Sequence, residues 1–236
     1  SGGDARKLLN GLETAVKLVK PAADKGITIT KELTEEAFQR KYTLYDKTGE
    51  LHYDTISAFI KSVRGSDPDA SIYWMARMLD GGEDIKFIAR RMVVLASEDV
   101  GNADPFALVL ASSCFTAVDY IGMPEARIVL SQTAAYLASA PKSNASYLAI
   151  EDAWKDVRNM PNLPVPMHIR NAPTKLMDEL GYGAEYKYSH DSPGHFVEQQ
   201  YLPDNLKDKI YYRPTEIGKE KDIQERLSKM WKKRRK

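Results

Sequence analysis

The chain is 236 residues long, 43% hydrophobic and 28% charged, with a formal net charge of +1. That length holds one large or two small domains, and the composition is ordinary for a soluble globular protein. A single cysteine, Cys114, excludes an internal disulfide and fits a reducing compartment.

The opening, SGGDARKLLN, has no apolar core of the kind a secretory leader needs, so none is expected. Asp4 is placed to cap a helix whose stripe is Leu8, Leu12, Ala15, Val16 and Val19, ended by Pro21 and Gly26. A β-prone stretch from Ile27 to Thr30 follows. Thr34 then starts another helix, and Asp46 to Gly49 reads as a turn. An opening this abrupt suggests a fragment whose N-terminal part has been removed.

The stretch from Tyr53 to Pro105 predicts three helices joined by short turns. Ile56, Phe59, Ile60 and Val63 lie on one helical face, with Asp54 as the expected cap and Gly65 beyond the end. Asp67-Pro68 is a start signal, because the carboxylate accepts free N–H groups and proline lacks a donor where none is needed. Ile72, Met75, Ala76 and Leu79 form the second stripe, stopped by Gly81-Gly82. Ile85, Ile88, Ala89 and Met92 form the third, and Asp104-Pro105 opens a fourth helix.

Two unusual helices are predicted next. Phe106 to Ile121 has one charged residue, Asp119; Glu125 to Ala140 has two, Glu125 and Arg127, both in its first turn. Helices apolar nearly all round are expected to be buried on most sides, either at the centre of a bundle or at a subunit interface. The second reading makes Ala111, Phe115, Ala135 and Leu137 candidate interface residues. The run is too short and too polar to span a bilayer, and no membrane partner is expected.

Lys142 to Val157 reads as a further helix, with Tyr147, Ile150, Trp154 and Val157 on one side. Four prolines between 161 and 173 then forbid a continuous helix. Asn171 to Thr174 opens a short helix closed by Gly181. From Tyr182 to Tyr212 the periodicity is lost, and irregular chain pinned by aromatic rings is expected there. Glu216 to Lys236 reads as a helix with a basic end. Residues 219–236 hold nine basic and three acidic side chains, against 25 basic and 30 acidic in the remainder.

Chemical motifs are sparse. Gly218-Lys219 is followed by Glu220 and lacks the upstream glycine of a phosphate loop, and no G-x-S-x-G elbow occurs. His168, His190 and His195 are candidate metal ligands by type, but Pro193-Gly194 interrupts the last pair, and hydrogen bonding within the irregular segment fits them better. Residues Glu98 to Asp104 lack the ligand alternation of a calcium loop and fit a helix-to-helix turn. The tail offers Lys229, Trp231, Lys232, Lys233, Arg234 and Arg235 as a DNA-binding candidate, since clustered cations displace counterions from phosphates and an indole can stack on a base. A solvated helix end is the plainer alternative.

Longer motifs carry a family resemblance. Arg64-Gly-Ser-Asp-Pro-Asp69, Ala89-Arg-Arg91, Ser97-Glu-Asp-Val-Gly-Asn-Ala-Asp-Pro105, Ala140-Pro-Lys-Ser-Asn-Ala145 and the run from His168 to Met177 together resemble the C-terminal half of the RarA/MgsA family. These are replication-associated AAA+ ATPases related to the Werner-helicase-interacting protein. Gly3-Asp4-Ala5-Arg6, with Leu9-Asn10 and Leu12-Glu13, resembles the sensor-2 helix of a clamp-loader-type lid. The resemblance covers essentially the whole chain. It implies an all-α helical bundle like a clamp-loader collar, followed by an irregular aromatic-rich segment. Residues 1–50 would be the remainder of the lid, and 51–236 a tetramerisation domain.

The resemblance further implies that the full-length protein is a DNA-dependent ATPase at stalled or gapped forks, with roles in fork maintenance, recombination and repair. It would use ATP and magnesium, partner DNA and replication proteins, and work in the cytoplasm at the nucleoid as a homotetramer. Arg6 matches the sensor-2 arginine, whose fixed fork suits phosphate oxygens. This chain departs from the family by lacking the ATPase core, so no cofactor and no hydrolysis are expected of it alone. A free-standing helical adaptor for a protein partner is the alternative.

Overall fold

Regular apolar spacing and well-placed caps build a succession of helices. The computed structural model describes residues 9, 12, 13, 15, 16, 28–35, 50–232 and 234. The longer helices are α1 (Glu50–Arg64), α2 (Pro68–Asp80), α3 (Ile85–Leu95), α4 (Phe106–Ile121), α5 (Ala126–Ser139) and α6 (Ala145–Asn159), followed by short α7 (Lys175–Glu179) and α8 (Glu220–Met230). The fold is all-α: there is no strand among the described residues. Residues 28–30 of the β-prone stretch carry no regular structure, and 31–35 are already helical ahead of Thr34. In the first segment, Leu9, Leu12, Glu13, Ala15 and Val16 are helical and Ala15 is buried.

The chain divides into two compact units, Ser1–Met92 with Ser112–Ser139, and Val93–Ala111 with Ala140–Lys236. In the first, α1 lies along α2, and α5 packs on both. Its core is Phe59 and Val63 of α1, Met75 and Met78 of α2, Ile88 and Met92 of α3, and Leu130 and Leu137 of α5. Burying each large apolar side chain is worth roughly 1.5–3 kcal/mol before the cost of ordering it. Cys114 is also buried here; desolvation raises its thiol pKa, against a hydrogen bond with Thr133.

The turns are those the residue types dictate. Asp67 Oδ1 accepts from Ala70 N at 2.9 Å, capping α2 ahead of Pro68. Gly82 takes the left-handed conformation, φ +77, just past the end of α2. Asp54, by contrast, caps nothing: α1 already begins by Glu50, which places Asp54 inside the helix. The second stripe is also rotated, because Ser71, Met75 and Met78 face inward while Ala76 is exposed. His52 Nδ1 meets Glu83 Oε2 at 2.8 Å, and Lys86 pairs with Asp119, the single charge of α4.

In the second unit, residues Glu98 to Asp104 form the expected turn. A π-helical stretch, Ala96–Val100, runs into a 3-10 turn, Gly101–Ala103, and Asp104 Oδ1 then accepts from Phe106 N at 3.3 Å to open α4. α6 starts at Ala145, three residues later than Lys142, and α8 spans Glu220–Met230 rather than the whole of 216–236. Between α6 and α8 the chain is irregular apart from short α7, which Thr174 caps, and several 3-10 turns. His168 Nε2 bonds Gln200 O at 2.7 Å, and Gln199 Nε2 donates to Lys187 O at 2.8 Å.

Candidate functional site

Ser143, 77 positions away, and the stretch just before α8 meet on one carboxylate in the second unit. Glu220, the first residue of α8, is fully buried. Its Oε2 accepts from Ser143 Oγ at 2.6 Å and from both Thr215 N and Thr215 Oγ1 at 2.8 Å. Its Oε1 accepts from Tyr212 OH at 2.9 Å. Burial pushes this carboxyl up, but the donors from Ser143, Thr215 and Tyr212 outweigh burial and hold it below the usual glutamate value. Asn102 Nδ2 extends the network, donating to Tyr212 OH at 3.0 Å and Ser146 Oγ at 3.1 Å.

The backbone closes tightly around the same point. Gly101 has φ +53, and a Cβ there would lie 2.6 Å from Ser143 O. Gly218 has φ +56, and its Cβ would lie 2.2 Å from Ala103 O, so only glycine permits this approach. Lys219 N donates to Ala103 O at 2.8 Å, and Ser143 N to Asp99 O at 2.8 Å. Lys142 Nζ donates to Ala140 O at 2.6 Å; burial lowers its pKa, against the charge of Asp99. With four donors on Glu220 and Ser143 only 5% exposed, the arrangement is a clasp that ties α8 to residues 143 and 212–215.

The basic tail leaves from the far end of α8. Trp231 is half-buried, its ring 5.2 Å from Phe196 and 6.3 Å from Tyr201. Arg234 lies over Trp231 at 5.6 Å and donates to Lys209 O. Lys209 Nζ in turn meets Asp156 Oδ2 at 2.8 Å, and Tyr211 OH donates to the same oxygen at 2.9 Å. The Lys209 and Tyr211 hydrogen bonds hold the Asp156 carboxyl below its ordinary value. Lys229 and Lys232 are exposed, Lys229 lying 3.9 Å from Glu225; Lys233 and Arg235 fall outside the described residues. A groove of about 390 Å³ between α8 and Gly194 is lined by Asp222, Glu225, Arg226, Lys229 and Met230.

The remaining candidates are scattered. Arg6 lies outside the described residues. Ala111 and Leu137 are fully buried within this single chain, and Phe115 and Ala135 are half-buried. The rings of His190 and His195 stand 5.0 Å apart, with His195 Nδ1 3.3 Å from His190 O. Among the described residues no group of three or more His, Cys, Asp or Glu is placed to hold a metal ion. No helix there is long and apolar enough to cross a membrane. The Glu220 clasp was not singled out from sequence. Its one signal was a carboxylate directly after a Gly-Lys pair, and its partner Ser143 lies 77 positions away.

A family model described as MgsA AAA+ ATPase C terminal matches residues 65–231, and one described as AAA C-terminal domain matches residues 1–64. The replication-associated recombination protein A of Haemophilus influenzae is 44% identical over 229 residues, 97% of this chain and 51% of that protein. Its namesake in Bacillus subtilis is 46% identical over 218 residues, 92% of this chain and 52% of that one. The ATPase WRNIP1 of Dictyostelium discoideum is 40% identical over 227 residues, 89% of this chain and 26% of that one. The chain thus spans about half the length of the two bacterial relatives.

Proposed function

The chain belongs to the MgsA AAA+ ATPase C-terminal family, and from that membership we propose that it joins copies of a replication-associated ATPase into a homotetramer. The observation that carries this reading is apolar surface left open on well-packed helices. On α4, Leu108 and Val109 are 42% and 56% exposed, while Ala107, Ala111, Cys114 and Val118 fill its buried face. Large exposed apolar groups rimmed by polar ones mark association surfaces.

On this reading residues of about 1–50 belong to the ATPase lid and about 51–236 to the assembly domain; the meeting point of the two family matches, at 64 and 65, supports a division in that region. Arg6 carries the state of bound nucleotide from the core to the lid. ATP and magnesium serve the full-length protein, and the 236 residues alone, lacking a phosphate loop, do not hydrolyse ATP. DNA and replication proteins are its partners in the cytoplasm, at the nucleoid. Names given to the relatives, and the length by which they exceed this chain, favour this over a free-standing adaptor.

Light scattering on a sizing column tests the assembly. Each chain is 26.6 kDa, and the expected mass is that of four chains, unchanged on dilution. A single-chain mass at every concentration would overturn the reading.

A further inference from the structure

Helix α6 is packed with its small residues inward and its large ones outward. Ala145 is buried and Ala149 and Ala153 are half-buried, while Tyr147, Ile150, Trp154 and Val157 are 42%, 54%, 52% and 67% exposed. At 100° per residue the large stripe lies roughly 120° around the helix from the small one. Its steps of three, four and three residues are those of the a and d positions of a heptad, the spacing of a seam that receives another helix.

We propose that this seam receives α6 of a second copy, antiparallel, across a two-fold axis near residue 152. The inference rests on the assembly reading and names the surface it uses. A two-fold contact must be complementary to itself, and the charges beside the seam meet that condition. Glu151 and Arg158 both flank the stripe on its same side. In the antiparallel register Ile150 meets the partner's Trp154, and Tyr147 meets the partner's Val157. Arg158 folds back over Trp154, its guanidinium carbon 5.1 Å from the ring centroid. That carries its charge to the level of the Ile150–Trp154 layer, beside Glu151 of the other copy. The same pair forms twice, once on each side of the axis, so each copy supplies both signs.

The test uses the 236-residue chain and sedimentation at several concentrations. All four stripe residues are exposed, so Trp154→Ala and Ile150→Asp leave the helical circular dichroism unchanged. Each is expected to lower the assembly mass by a factor of two, with association at that contact weakened by about thirtyfold or more, as for a buried aromatic anchor. Glu151→Arg alone and Arg158→Glu alone each weaken assembly, and the double reversal restores it. If the parent chain assembles while Trp154→Ala and Ile150→Asp keep its mass, the α6 contact is overturned and the assembly reading stands. If both single reversals weaken assembly and the double reversal does not restore it, the seam does not pair with itself and the inference fails. A parent chain that is monomeric throughout overturns the assembly reading and this one with it.

Discussion

A buried carboxylate is costly unless it is well hydrogen-bonded, and Glu220 accepts from four donors, three at Oε2 and one at Oε1. Glu220→Gln keeps the shape but replaces one acceptor by a donor facing other donors. It is expected to cost about 2–3 kcal/mol, read as a lower urea midpoint at pH 7; an unchanged midpoint would show that the clasp is not what holds α8. The acid response has a definite sign. The folded carboxyl titrates below its unfolded value, which is about 4.3. Its contribution is therefore fully present above that pH and is lost as pH falls through the folded value. The parent's urea midpoint should drop on acidification below about pH 4, and that of the glutamine variant should drop less.

At the scale of elements, the caps separate signals that worked from one that did not. Asp67 and Asp54 are the same residue type ahead of similar apolar stripes. Only Asp67 sits outside its helix, where its carboxylate reaches Ala70 N. Asp67→Ala is expected to cost about 1 kcal/mol, whereas Asp54→Ala should stay within about 0.5 kcal/mol; paired thermal melts compare them, and equal losses would refute the distinction. Periodicity made the helices legible, and specific motifs such as Ser97 to Pro105 and Ala140 to Ala145 made the family legible. What periodicity could not show is which side of a helix meets its own chain. In α6 the alanines do so and the large stripe does not; in α4 the face of Ala107 and Ala111 is buried while Leu108 and Val109 are exposed. For this reason an arginine at Ala111, which is fully buried, would damage the fold before it reported on assembly. Nor could local sequence show Glu220 meeting Ser143, a partner supplied only by the folded chain.

At the scale of the whole molecule, the basic tail is partly committed to the chain itself. Trp231 is packed against Phe196 and Tyr201, and Arg234 bonds Lys209 O. If the tail contacts DNA, the exposed Lys229 and Lys232 carry the described part of that contact. Single-stranded oligonucleotide affinity should then fall with salt, and Lys229→Ala with Lys232→Ala should flatten the log–log slope by roughly 1.4, two contacts at about 0.7 each. Fluorescence anisotropy across a salt series measures it, and an unchanged slope would remove these lysines from the interface.

The chemistry of Cys114 reaches beyond packing. It is the chain's one thiol, and it is enclosed and pushed toward its protonated form, so it offers little of the thiolate that alkylating dyes require. A second cysteine placed at an exposed position such as Asp152 would take a maleimide fluorophore selectively on the native background. If the chain assembles as proposed, energy transfer between donor- and acceptor-labelled chains would then follow subunit exchange in real time, without first stripping the protein of its natural cysteine.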